Sequence, residues 1–312
     1  MLPVKIMRFG MAEWKTGMKG MENGRKGLLL QNLCKRGIQD SSSIKPDQEL
    51  VVEYLEEENS GIVVFGINRP KAMNALSKTL VRSFTDAIDA VKFDKNVRVL
   101  ILRSHVKGAF CAGADLKERA KMTPAEVGPF VSKGREVIGA WDKLPMPVIA
   151  AIDGVALGGG LEMALACDIR VASDNAKVGL TETRLAIIPG GGGTQRLPRV
   201  VGPAIARELI YTARILSGAQ AEKIGLVNHC VAQNEDGNAA YAKALEIARE
   251  IIPNGPVGVK MAKMAINKGV EVDLASGLAF EETCYAQVIP TTDRIEALNA
   301  FREKRKPNFK GE

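Results

Sequence analysis

Residues 149–169 read IAAIDGVALGGGLEMALACDI, and few folds accept such a run. A β-rich apolar segment, Val148 to Ile152, meets Asp153-Gly154 and crosses Gly158, Gly159 and Gly160. It then enters a short apolar helical stretch holding one acid, Glu162. Consecutive glycines let the backbone approach a ligand or another backbone with no Cβ in between. The first N–H groups of the helix that follows lack intrahelical acceptors, so they form a site for developing negative charge. A carboxylate one turn into that helix, among Leu, Met and Ala, is not there for solubility. The pattern predicts an oxyanion held beside a group that moves a proton.

The 312 residues allow a large core and one or two domains. No apolar run approaches the ~18 residues of a membrane-spanning helix. Five cysteines without CxxC spacing and only two histidines, His105 and His229, argue against a disulfide framework, a zinc cluster or a histidine triad. No metal and no resident cofactor are expected, and a reducing compartment fits. The net charge of +7 suggests nucleic acid until it is located. Residues 1–46 hold nine Lys/Arg and three acids, which leaves 34 basic and 33 acidic residues in the remainder. That leading segment is basic and acid-poor, with Ser41 to Ser43 and Pro46 closing it. It reads as a transit peptide or a disordered tail.

From residue 50 the chain predicts a hairpin, then a helix capped by Ser77 with Val81, Phe84, Ile88 and Val91 on one face. Val97 to Arg103 is apolar enough to be a strand covered on both sides. Strand and helix patterns then repeat, giving a mixed α/β layer fold over residues 47–200. Helical patterns dominate residues 201–312, and their apolar faces exceed what a small unit buries alone.

Three segments resemble the enoyl-CoA hydratase/isomerase (crotonase) superfamily: Phe110-Cys111-Ala112-Gly113-Ala114-Asp115, the 149–169 run, and Thr181-Glu182-Thr183-Arg184 leading into IPGGGGTQRL at 188–197. Arg69-Pro70 with Asn74-Ala75-Leu76 is also similar to the family. The resemblance implies a crotonase (ClpP/crotonase-like) fold of repeated β-β-α units with a helical C-terminal trimerisation subdomain, as a homotrimer or a dimer of trimers. It implies syn addition of water to an α,β-unsaturated acyl-CoA, above all the branched, carboxylate-bearing 3-methylglutaconyl-CoA of leucine degradation. A general short-chain enoyl-CoA hydratase and a Δ3,Δ2-enoyl-CoA isomerase are the alternatives. A mitochondrial matrix setting follows from the leading segment and this chemistry together.

Hydration puts negative charge on the thioester oxygen, and preorganised backbone donors hold it best. By resemblance these are the N–H groups of Ala114 and Gly159. Glu162 and Glu182 match the family's acid pair, and two acids in one cleft push their pKa values apart. The Gly190 N–H is expected to hold Glu182 or the water. Coenzyme A is part of the substrate, with Lys71 expected at its phosphates, Ala112 at its adenine and Lys117 as a further contact. Lys/Arg in the 302–306 run could also reach it. Asp115 is expected to cap a helix, and Asp168, Cys111 and Cys167 to be structural. Glycines 190–193 are no P-loop, since no Gly-Lys-Ser/Thr follows.

A second reading, from a different class, is AU-rich RNA binding. One family member is implicated in it through a lysine-bearing helix that aligns with Lys78, Arg82 and Asp86. An acid at the third position and the absence of an aromatic platform predict weak, salt-sensitive binding at most.

Overall fold

The computed structural model describes residues 48–312, and the expectations for residues 1–46 lie outside them. The chain opens with β1 (Leu50–Tyr54) and β2 (Ile62–Ile67), an antiparallel hairpin with Leu50 opposite Ile67. Helix α1 (Lys78–Val91) follows. The Ser77 hydroxyl accepts from the Leu80 N–H, and Leu80, Val81, Phe84, Ile88 and Val91 are buried. The spacing of these apolar side chains places one stripe against the core, as the sequence predicted.

Three further units each send one strand to each of two sheets. They are β3 (Val99–Ser104) with β4 (Gly108–Cys111), followed by the one-turn α2 (Leu116–Arg119) and α3 (Pro124–Trp141); β5 (Val148–Ile152) with β6 (Gly154–Leu157) and α4 (Gly159–Leu165); and β7 (Ile169–Ser173) with β8 (Lys177–Gly179), a 3-10 turn at Glu182–Leu185 and α5 (Gly193–Val201). After α6 (Pro203–Thr212) come β9 (Leu216–Ser217), α7 (Gly218–Lys223), β10 (His229–Val231) and α8 (Ala239–Ile251). The chain closes with α9 (Pro256–Gly269), α10 (Leu274–Val288) and α11 (Thr292–Glu303).

The six-stranded sheet runs β1-β2-β3-β5-β7-β10 and the four-stranded sheet β4-β6-β8-β9, parallel except at the pairs β1/β2 and β8/β9. Alternation along β3 explains its apolar sequence. Leu100 and Leu102 face the main core, where Phe65 and Phe84 meet Trp141 edge-on at 5.9 and 5.3 Å. Val99 and Ile101 face a second core under Ala240, Ala244 and Ala248 of α8. Asp153, between β5 and β6, accepts from the Ala240 and Tyr241 N–H groups at 2.8 and 3.0 Å, so it caps α8 from a distance. By contrast α9, α10 and α11 leave Ile266, Val270, Leu274, Leu278, Leu298 and Phe301 exposed.

Candidate active site

The three glycines at 158–160 are each fixed by what lies beside them. Gly158 sits at φ +51, where L side chains rarely go, and a Cβ there would meet Glu182 Oε1 at 3.1 Å. A side chain at Gly160 would run into the Cys111 carbonyl, because α4 starts directly against the end of β4. That contact joins the 110–115 segment to the 158–160 turn. A Cβ built on Gly113 lies 3.4 Å from the Gly159 nitrogen.

The direction of the two candidate oxyanion donors follows from peptide planarity. In a trans peptide the C=O and the next N–H point opposite ways. The Gly113 carbonyl accepts from Leu76 N–H at 2.7 Å, and the Leu76 carbonyl accepts from Asp115 N–H at 3.2 Å, so the Ala114 N–H points away from Leu76. The Gly158 carbonyl accepts from Glu162 N–H at 2.9 Å along α4, so the Gly159 N–H leaves the helix end. Among the described residues neither donor has an acceptor. Both fall in turns of small residues where a carbonyl oxygen has room.

The 110–115 segment is held by residues quoted only as family-like in the sequence. Asn74 is fully buried at φ +59, donates to Ser104 Oγ at 2.7 Å and to the Ala109 and Phe110 carbonyls at 3.3 and 3.0 Å, and accepts from Arg69 N–H at 2.7 Å. The Arg69 guanidinium bridges Glu49 at 2.6 Å and Asp115 at 3.0 Å and also donates to the Ala75 carbonyl. Asp115 caps α2 through the Lys117 and Glu118 N–H groups, as expected of it. Burial pushes its pKa up, but the Glu118 N–H and Arg69 win and hold it below the usual value.

Glu162 is 3% exposed, which settles it as a buried acid. Its Oε1 accepts from Gly191 N–H at 2.8 Å and Gly193 N–H at 2.7 Å. Burial raises its pKa, opposed by those two amides and by Arg196 and Arg135. Glu182, on the 3-10 turn, is half-buried, and its Oε2 has no hydrogen-bond partner among the described residues. Burial first, and then the charge of Glu162, push it to about 7. One acid is thus wrapped in donors and the other left bare, so the two separate chemically.

The glycine loop does more than the sequence suggested. The Gly190 N–H, expected to hold Glu182 or the water, has no acceptor among the described residues. The amides of Gly191 and Gly193 grip an acid, and that acid is Glu162. The chain at 190–193 turns its Gly191 and Gly193 N–H groups toward α4 because Arg135 Nε donates to the Gly190 carbonyl at 2.7 Å and the Arg196 backbone N–H donates to the Gly192 carbonyl at 2.8 Å, while Arg196 Nη1 donates to the Gly191 carbonyl at 3.1 Å. Arg196 is itself held by Asp142 at 2.5 Å. Arg196 lies inside the IPGGGGTQRL motif, which by itself assigns it no role. An arginine spaced three residues past a glycine run was the available signal.

The remaining candidates are more dispersed. Lys71 is exposed on the 3-10 turn Pro70–Ala72, and the Ala112 N–H bonds the Met73 carbonyl at 3.0 Å, so Lys71 and Ala112 flank one segment. Lys117 is exposed on α2. In the 302–306 run Arg305 is taken up by Glu296 at 2.6 Å and Glu303 at 2.7 Å. Lys78 and Arg82 are exposed on α1, with Lys78 Nζ 3.9 Å from Glu126. Asp168 is structural, as expected, accepting from Val148 N–H and from the buried Lys263 ammonium, both at 2.7 Å. The four cysteines among the described residues are free, and burial pushes the Cys111 thiol up to about 12.

A family model described as enoyl-CoA hydratase/isomerase matches residues 57–312. The chain is 63% identical over 278 residues to the human mitochondrial methylglutaconyl-CoA hydratase, covering 89% of this chain and 81% of that one. It is 55% identical over 263 residues to the mouse mitochondrial enoyl-CoA hydratase domain-containing protein 2, with 84% and 89% covered. Among solved structures, the enoyl-CoA hydratase of Bacillus anthracis superposes with a TM-score of 0.81 at 47% identity, over 85% of this chain and all of that one. The architecture is the mixed α/β one of those enzymes, as the resemblance implied.

Proposed function

This chain belongs to the enoyl-CoA hydratase/isomerase family, and from that premise we propose that it is a hydro-lyase converting 3-methylglutaconyl-CoA to 3-hydroxy-3-methylglutaryl-CoA. The observation that carries the reading is the pairing of two acceptor-free amides, Ala114 and Gly159, with two acids whose surroundings differ. Identity to methylglutaconyl-CoA hydratases selects the acyl group.

In this reading the thioester oxygen lies between the Ala114 and Gly159 N–H groups, which stabilise the enolate-like charge as it forms. The Glu162 carboxylate, oriented by Gly191 and Gly193, takes a proton from water as the oxygen bonds to C3. Glu182, bare and carrying its proton to about pH 7, delivers it to C2. Solvent exchange restores the pair. Coenzyme A supplies the thioester, and no other cofactor is needed. Lys71 takes its phosphates as a point charge, Ala112 its adenine, and Lys117 a secondary contact. A trimer or a dimer of trimers would cover the exposed faces of α9 to α11. The names of the relatives support a mitochondrial setting, and within it we place the enzyme in the matrix. The comparisons lend no support to RNA binding.

The test is hydration of 3-methylglutaconyl-CoA and crotonyl-CoA side by side, with Glu162→Gln and Glu182→Gln. Preference for the branched substrate, and losses in kcat of about 10²- to 10⁴-fold in both variants, are expected. Equal or faster turnover of crotonyl-CoA would overturn the acyl assignment. Full activity in either variant would overturn the roles of the acids.

A further inference from the structure

The function proposed above leaves one demand unmet. The substrate carries a carboxylate two carbons beyond C3, the atom that receives the water. With C3 beside Glu162, that second carboxylate lies close to the loop at 190–193, and two carboxylates so near each other repel unless a cation stands by. Two cations act on Glu162, Arg196 and Arg135. Arg196 is already committed: Nε and Nη2 go to Asp142 at 3.2 and 2.5 Å, and Nη1 goes to the Gly191 carbonyl.

Arg135 is different. Its Nε is fixed on the Gly190 carbonyl at 2.7 Å, and its two amino groups have no partner among the described residues. The nearby acid Glu136 pairs with Lys133 instead, at 3.3 Å. Arg135 projects from the face of α3 that packs on the loop. A Cβ built on Gly190 lies 3.0 Å from Val131, and one on Gly191 lies 2.7 Å from Ile138. Residues 131, 135 and 138 share that face, four and three apart. The guanidinium is therefore held in place at one corner, near Glu162, with the fork formed by its two amino groups open. That is the geometry a carboxylate accepts in bidentate fashion.

We propose that Arg135 is the specificity-determining residue that reads the distal carboxylate of the acyl chain; this rests on the function proposed above. The test is the ratio of kcat/KM for 3-methylglutaconyl-CoA over crotonyl-CoA, in wild type, Arg135→Gln and Arg135→Lys. Arg135→Gln should lower that ratio about 10- to 100-fold, as loss of a hydrogen-bonded charge does, mostly through KM, and Arg135→Lys should restore part of it. Because the side chain is exposed, melting temperatures should match wild type. A role limited to holding the Gly190 carbonyl lowers both substrates alike, and an unchanged ratio overturns the proposal. A wild type with no preference for the carboxylated substrate overturns the parent function, and does so before any variant is compared.

Discussion

Glu182→Gln should stabilise the protein at alkaline pH while it slows turnover by orders of magnitude. The folded carboxyl has its pKa at about 7, against 4.5 for the free side chain, because burial and then the Glu162 charge disfavour ionisation. An acid with a raised folded pKa binds its proton more tightly when folded. Stability is therefore intact below about pH 4.5, falls as pH rises through the interval, and is fully reduced above about 7. At about 1.4 kcal/mol per tenfold change, the ceiling is about 3 kcal/mol. Glu182 keeps contact with solvent, so screening brings the expected cost of ionisation to about 1–2 kcal/mol.

Glutamine is close to the neutral acid in shape, though its amide places two N–H donors where the carboxyl has one O–H, at or beside the buried Oε2 position that lacks a partner. Any cost of those donors is the same at both pH values and cancels. Thermal denaturation of wild type and Glu182→Gln at pH 5.5 and pH 8.5 therefore isolates the charge. Because pH 5.5 already lies inside the window, about three-fifths of the ionisation cost separates the two conditions, and the gain in Tm of the variant should be about 1–4 °C larger at pH 8.5 than at pH 5.5 for a chain of this size. An equal shift at both pH values, or a variant less favoured at pH 8.5, would refute the assignment of Glu182 as the group that keeps its proton.

The same group governs rate. With Glu182 as the proton donor, kcat/KM for hydration should fall about tenfold per pH unit above about pH 7, with a separate fall on the acid side as the Glu162 base takes up its proton; a profile flat to pH 9 contradicts this. Asn74→Ala should cost about 3 kcal/mol in denaturant titration, since two buried carbonyls and the half-buried Ser104 hydroxyl lose their donor and a non-glycine residue remains at φ +59. It should also slow turnover, by loosening the segment that carries the Ala114 amide. Lys263→Met should cost about 2–4 kcal/mol by leaving Asp168 and the Met146 carbonyl without their cation, and its kcat should stay near wild type.

What the sequence disclosed was local. Glycine spacing, one acid on an apolar helix and the Ser77 cap are each readable within a few residues, and the structure builds them as expected. Arg69, Asp153 and Arg170 escaped because their partners are remote in the chain. Arg69 joins Glu49 to Asp115, and Asp153 caps a helix that starts 86 residues later. Arg170 is buried on the carbonyls of Ala164, Cys167 and Leu226, tying down the far end of α4. The loop at 190–193 was recognised as functional, but the grip of its Gly191 and Gly193 amides on Glu162 was not foreseen. Which carboxylate two amides face depends on the packing of α4 against α5, and no local spacing encodes that.

The four amides at this site share one physical device. Each N–H is aimed by a hydrogen bond to the carbonyl just before it, since a planar peptide cannot turn one without the other. Leu76 N–H holds the Gly113 carbonyl and aims Ala114, and Glu162 N–H holds the Gly158 carbonyl and aims Gly159. Arg135 holds the Gly190 carbonyl and aims Gly191, and Arg196 N–H, at 2.8 Å, holds the Gly192 carbonyl and aims Gly193. The two oxyanion donors are thus set by backbone alone, and Glu162 both receives two aimed amides and aims a third. A change at Glu162 to Gln leaves the Glu162 N–H in place, so the oxyanion donors should survive it. Affinity for the acyl-CoA thioester should then persist when turnover is gone, whereas an oxyanion site that needs the Glu162 carboxylate would lose both together.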